Sequence, residues 1–300
     1  MKIGYPCINT SIGCTANSTF RLRNYSEQNI KEKIKNNLEC LKRILEYNLK
    51  NQLLFFRISS DLVPFASHPI CTFKWEEYFK HEFKEIGNFI KENEFRISMH
   101  PDQFVLINSK SEKIVNNSIR ELEYHCKVLD LMKLDSTAKV QIHVGGTYGD
   151  KQESIKRFIK NYFALSDTIK KRLVIENDDK SFSLQDCLLI HEKTKIPVLF
   201  DSFHHECLNN GESMKEAIEK AIETWKSKDG ILMTDYSNQE EGQRKGIHAR
   251  HININKFRRY LQETKDFEFD IMLEIKDKEK SALEAIKEVR IRNKITTKSK

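Results

Sequence analysis

The sequence lacks several features that would fix its class at once. No apolar run approaches the roughly 20 residues of a membrane-spanning helix, which excludes an integral membrane protein of that kind. The N-terminal stretch MKIGYPCINTSIG loses its apolar character too early for a signal-peptide core, so no secretory leader is expected. Seven cysteines, at 7, 14, 40, 71, 126, 187 and 207, stand singly without any C-x-x-C pair. Scattered, odd-numbered cysteines in a chain with no leader predict reduced thiols and a cytoplasmic location rather than a disulfide framework. Cys40 and Cys126 fall on apolar helix stripes and are expected to be buried. Cys7 and Cys14 are weak evidence for a metal site. No Pro/Gly/Ser-rich linker divides the chain. No G-x-G-x-x-G follows the first strand-like run, which disfavours a dinucleotide-binding sheet.

What is present is ordinary in amount. Over 300 residues, 39% are hydrophobic and 32% charged, enough to bury a large core. Lys and Arg number 51 against 44 Asp and Glu, a formal charge of +7, compatible with a polyanionic partner without requiring one. The last fourteen residues, KEVRIRNKITTKSK, concentrate basic charge, and 291–300 read as a basic tail after a single domain of residues 1–290.

The pattern along the chain is more telling than its composition. Short, nearly continuous apolar runs recur at 2–7, 53–58, 95–99, 139–144, 172–177, 196–201, 230–235 and 269–275. Strands buried on both faces, as in parallel sheets, read this way. Between them lie amphipathic segments of helical period, such as Ile34, Leu38, Leu41, Leu45 and Leu49. Ser183 and Asp186 resemble a capping box that opens one of these helices. Eight strand-like runs alternating with about as many helices predict an α/β fold, a TIM (β/α)8 barrel. A doubly wound open sheet is the alternative.

Polar residues then terminate the strands. The third run ends at His100, the fourth carries His143, the fifth ends Glu176-Asn177, and the sixth ends at Asp201 with His204 three residues on. The seventh ends at Asp235 and the eighth carries Glu274; His68 and His248 lie in the loops after the second and seventh. A barrel brings the C-terminal ends of its strands to one face, where active sites form. Each residue alone means little, since strand-end carboxylates often cap the next helix. Gathered together, unpaired carboxylates would repel and desolvate at high cost unless a divalent cation resolved it. His68, His100, His143, Glu176, Asp201, His204, Asp235, His248 and Glu274 are therefore candidate metal ligands. Their mix of imidazole and carboxylate suits zinc, manganese or iron better than calcium or magnesium. Neighbouring ions can clamp the attacking and leaving oxygens of a phosphodiester, with Glu176 or Glu274 bridging them. A metal-dependent sugar isomerase or epimerase is the competing reading. It is disfavoured because no lysine stands at a strand end to polarise a sugar oxygen. A non-catalytic metal-binding module ranks last.

The motifs that carry these residues resemble the UV damage endonuclease family. They are H-P-D-Q-F at 100–104, I-H-V-G-G at 142–146, I-E-N-D at 175–178, D-S-F-H-H at 201–205, G-I-H-A at 246–249 and M-L-E-I-K at 272–276, with the opening G-Y-P-C-I-N. The likeness runs in order through nearly the whole chain. It implies a TIM barrel, related in fold to endonuclease-IV-type abasic-site nucleases and to xylose isomerases. It further implies a metal-dependent DNA repair endonuclease that nicks damaged double-stranded DNA on the 5′ side of UV photoproducts and leaves a 3′-hydroxyl. An abasic-site endonuclease of the same fold is the alternative. The implied cofactor is a divalent cluster, foremost Mn2+, with Zn2+ or Mg2+ as alternatives. Glu176, Glu274, His143 and Asp201 would be catalytic. Gln103 and Phe104 would probe the DNA stack, and Tyr5 and Asn9 would line a pocket for the flipped dinucleotide. No membrane and no obligate protein partner are expected. One departure stands out. Some members end strand seven in K-x-H, whose lysine can be carboxylated into a further ligand, whereas this chain has Met233-Thr234-Asp235.

Overall fold

The computed structural model describes the backbone of residues 1–298 and the side chains of residues 1–291. Eight parallel strands close on themselves in sequence order: β1 (Ile3–Pro6), β2 (Phe55–Ile58), β3 (Arg96–Met99), β4 (Lys139–His143), β5 (Leu173–Glu176), β6 (Val198–Asp201), β7 (Leu232–Tyr236) and β8 (Phe269–Leu273). Pairing of Ile3 and Gly4 of β1 with Ile271 and Met272 of β8 closes the ring. The architecture is the expected TIM barrel. Each strand is buried along nearly its whole length, which is why its sequence shows no polar alternation.

Among the described residues, eleven α-helices follow in order: α1 (Glu27–Asn51), α2 (Trp75–Tyr78), α3 (Lys80–Glu92), α4 (Glu112–Leu131), α5 (Lys151–Ala164), α6 (Asp167–Lys170), α7 (Leu184–Thr194), α8 (Ser202–Cys207), α9 (Met214–Glu223), α10 (Ile254–Glu263) and α11 (Glu279–Lys298). The apolar stripe of α1 is buried at Ile34, Leu38, Leu41 and Leu45, as its spacing predicts. At the start of α7 the Ser183 backbone N–H donates to Asp186 at 2.9 Å, the expected capping box. The helix α11 runs to Lys298, so the backbone of 291–298 continues that helix; the side chains of most of the predicted basic tail lie outside the described residues. Among the described residues, no helix is long and apolar enough to cross a membrane.

The reduced-thiol expectation is corrected at one pair. Cys14 is bonded to Cys40, fastening the loop after β1 to the middle of α1; the other five cysteines are free. A sequence separation of 26 hid the pairing, because it depends on how that loop folds back across the helix.

Candidate metal centre

The strand-end residues do converge. His100 follows β3, His143 ends β4, Glu176 ends β5, Asp201 ends β6 and Glu274 follows β8, so one ring of side chains lines the C-terminal mouth. The imidazoles form a chain across it, with ring centroids 5.3 Å apart for His100–His143, 5.7 Å for His143–His204 and 5.8 Å for His204–His248. Glu176 lies beneath them, its carboxylate 3.4 Å from His100 and 3.3 Å from His204. Three sets of donor atoms, each within 4.8 Å of one another, could hold an ion: His100, His143 and Glu176; Glu176, Asp201 and His204; Asp201, Asp235 and Glu274.

Backbone carbonyls orient the rings. His100 Nδ1 faces the Pro101 carbonyl at 2.8 Å, His204 Nδ1 the Asn177 carbonyl at 3.0 Å, and His248 Nδ1 the Glu274 carbonyl at 2.9 Å. For His100 a proton held on Nδ1 leaves Nε2, 3.4 Å from Glu176, as the ligand nitrogen, whereas the His204 Nδ1 lies 3.3 Å from both Glu176 and Asp201. Asn177 clamps Asp201: its amide donates to the Asp201 carbonyl at 2.9 Å and its Oδ1 accepts the Asp201 N–H at 3.0 Å. Asp201 Oδ1 caps α8 through the His204 N–H at 2.7 Å, which leaves Oδ2 without a hydrogen-bond partner. After β4 the chain turns at Gly145 with φ of 115°, where a Cβ would strike Asn108 Oδ1 at 2.3 Å; only glycine fits.

The electrostatics are those of a site short of cations. Burial alone would hold Asp201 well above the ordinary carboxylate range, and the neighbouring carboxylates add to that. Asp235 is pushed up to about 7 by burial, against the pull of Arg57. Burial opposes ionisation of Glu176 too, yet His143, His100 and His204 hold it well below the ordinary range. Glu274 is brought to about 2, burial being outweighed chiefly by Arg57. Burial would lower His204, but Asp201 and Glu176 raise it to about 11. Burial lowers His143, with His100 and His204 adding to it against the upward pull of Glu176. Three buried polar atoms at the mouth, His143 Nδ1, Asp201 Oδ2 and Asp235 Oδ1, have no hydrogen-bond partner among the described residues. Such orphans are rare in folded proteins, and together with the imidazole–carboxylate donor set they fit a divalent metal.

The structure does not treat all the predicted residues alike. Asp235 gives one oxygen to Arg57 at 2.6 Å and so is only partly available. His68 stands apart from all three donor sets; it is exposed, and its Nδ1 accepts the Ile70 N–H at 3.1 Å. Tyr5 and Asn9, expected at a DNA-facing pocket, are buried: the Tyr5 hydroxyl donates to Asn48 at 2.6 Å and accepts from Asn9 at 2.8 Å. Gln103 and Phe104 are exposed on the loop after β3, Phe104 at 62%, while Val105 and Ile107 are buried and hold the loop to the barrel rim. This loop separates two cavities. One, of about 380 Å³, is lined by Gln103, His100, His143, His204 and His248; the other, of about 550 Å³, by Phe104, Phe65, His68 and Tyr124. Arg57 and Gln141 also belong to the site, though neither stands at a strand end. Their signal was a charged and an amide side chain, each inside a run otherwise suited to a buried strand.

A closed barrel with a histidine–carboxylate centre at the C-terminal ends of its strands is a metal-ready enzyme scaffold. Known proteins narrow the class. The profile of UV-endonuclease UvdE matches residues 1–300. A UV DNA damage endonuclease of Clostridium perfringens (strain 13 / Type A) is 44% identical over 296 residues, 98% of this chain and 72% of that protein. The crystal structure of SacUVDE aligns with a TM-score of 0.94 and 50% identity, covering 98% of this chain and 99% of the other. Endonuclease IV from Thermus thermophilus shares the fold, with a TM-score of 0.54 and 13% identity over 84% of this chain and 93% of its own. The chain belongs to the UV-endonuclease family and is a DNA-cleaving enzyme.

Proposed function

We propose that the chain is a metal-dependent repair endonuclease that nicks damaged double-stranded DNA on the 5′ side of UV photoproducts and leaves a 3′-hydroxyl. The reading rests above all on one observation: a cavity lined by four histidines of the centre, His100, His143, His204 and His248, is walled by an exposed Gln103, with Phe104 beside it. His100, His143 and Glu176 would hold one ion, and Glu176, Asp201 and His204 a second, Glu176 being common to both sets. Divalent ions so held, foremost Mn2+, would supply Lewis acidity, activate water near neutral pH and stabilise the leaving 3′-oxygen.

The chain's own residues do the rest. Glu176 stays anionic against burial because His143, His100 and His204 surround it, whereas burial and the neighbouring carboxylates oppose the charge on Asp201, which a bound cation would favour. Carbonyl contacts from Pro101, Asn177 and Glu274 turn the three imidazoles toward the cavity. Glu274 is held in place by Arg57. Phe104 is an apolar wedge on a loop anchored by Val105 and Ile107. Inserting such a wedge unstacks a step and bends the duplex, which opens it to more contact. Damaged bases stack and pair poorly, so they leave the helix at lower cost, which gives selectivity without base-specific hydrogen bonds.

The test incubates the protein and Mn2+ with UV-irradiated, unirradiated and abasic-site duplexes of one sequence. The irradiated duplex should be cut selectively. Equal cutting of irradiated and unirradiated DNA would overturn the damage-specific reading. Preferential cutting at the abasic site would favour an abasic-site nuclease. Inertness toward all three, with interconversion of free ketoses, would move the chain to the epimerases.

A further inference from the structure

Arg57 sits within β2, a strand buried along its whole length, and is only 3% exposed. A guanidinium does not shed its charge, so burial there requires anions to meet it. It meets two. Its Nη2 donates to Asp235 Oδ2 at 2.6 Å and its Nη1 donates to Glu274. Gln141 ties this pair into the floor of the site, accepting from Arg57 at 2.9 Å and donating to Glu176 and Asp235 at 2.8 Å each. Asp235 and Glu274 are two of the three members of the third donor set, and the guanidinium already engages one oxygen of each. Nearby on β7, Met233 is fully buried and offers no oxygen or nitrogen ligand.

We infer that Arg57 is a built-in cation that takes the place of an ion in that third set, so that the centre holds two ions and Asp235 anchors Arg57 rather than serving as a ligand. The inference rests on the metal-centre reading given above. Charge agrees with it. Glu176, Asp201, Asp235 and Glu274 present four negative charges when ionised, and the single charge of Arg57, shared between Asp235 and Glu274, offsets one of them. Two divalent ions nearly balance the remaining three, exceeding them by a single charge. A third ion in contact with Asp235 and Glu274 would lie close to the guanidinium, and like charges repel strongly in a buried, low-dielectric pocket. Arg57 is a positioning residue here: it orients Glu274 directly and Glu176 through Gln141, and it touches no reacting atom.

Ion content tests this without reference to activity. The purified chain is saturated with Mn2+, separated from free ion by gel filtration and assayed for manganese per chain. Two ions are expected in the unaltered protein, in Asp235→Asn and in Arg57→Lys, which keeps a cation in place. Arg57→Gln, which frees Asp235 and Glu274, should rise above two. Three ions in the unaltered chain, loss of one in Asp235→Asn, or no gain in Arg57→Gln overturns the inference. Because Arg57→Gln can fail to fold, Asp235→Asn and the unaltered protein decide the matter without it. Three ions would leave the metal-centre reading standing; no ion in any of the proteins would sink that reading and this one together.

Discussion

The two ends of the barrel both bury charge and treat it in opposite ways. At the N-terminal end, Lys139 pairs with Asp229 at 2.6 Å and donates to the Lys171 carbonyl at 3.0 Å. Arg172 uses Nε, Nη1 and Nη2, on Asp130 and on the carbonyls of Leu134, Asp135 and Ala138. Arg96 is less complete there: Nη2 donates to two carbonyls but Nε has no partner. At the C-terminal end, two carboxylate oxygens and an imidazole nitrogen are left without partners among crowded acidic groups. Saturated charges hold a fold together; unsaturated ones are held ready for something that binds. The same barrel thus keeps its stability at one end and its chemistry at the other.

Substitutions can break that contrast, and the largest effect is expected at the mouth. Glu176→Gln should lower incision on the order of 10³-fold, the scale of losing a principal charge-stabilising group. Gel-shift affinity for irradiated duplex should hold nearly unchanged, because Glu176 is 1% exposed and reaches no DNA itself. Normal cutting by this variant would remove Glu176 from the chemistry.

Next comes a paired comparison of stability. Asp229→Ala strands Lys139 in the interior and should cost about 3–5 kcal/mol, read by urea unfolding. Asp201→Asn at the mouth keeps the cap on α8 and replaces a carboxyl whose ionisation burial opposes, so the metal-free protein should be unchanged or more stable while incision is lost. Equal destabilisation by both would erase the distinction between the two ends.

The fold was legible because it depends on repetition. Eight double-buried strands produce eight nearly uninterrupted apolar runs, and the strands found lie within or at most one residue beyond them. The site was legible where it lies at strand ends, since closure of the barrel alone brings His100, His143, Glu176 and Asp201 together. What was not legible depends on side-chain direction. Arg57 and Gln141 are single polar residues inside strand runs, and only the closed barrel shows that they point at Asp235, Glu274 and Glu176. The Cys14–Cys40 bond and the burial of Asn9 both follow from the path of one long loop, which no periodicity encodes.

Two smaller effects sharpen the comparison. His125, on α4, is fully buried behind His100, with Ser60 between them, and burial pushes it down to about 4. An unfolded histidine titrates near 6.5, so between these values the unfolded chain binds the extra proton and stability falls as pH falls. The expected loss from this group is about 2 kcal/mol between roughly pH 7 and pH 5, and His125→Asn should flatten that part of the stability–pH curve. Phe104→Ala should weaken binding of irradiated duplex about tenfold, the scale of one lost base–aromatic stack. Melting temperature and manganese content should stay as they were, since the ring is mostly in solvent. Binding that survives the change intact would take Phe104 out of damage recognition.

The most direct measurement uses a duplex carrying a single photoproduct at a known position, labelled on the damaged strand and incubated with protein and Mn2+. The account predicts one nick at the 5′ side of the lesion, an end that a DNA polymerase can extend, and no cutting once a chelator is added. Cutting that persists in chelator, that ignores the lesion, or that leaves a blocked 3′ end would contradict it.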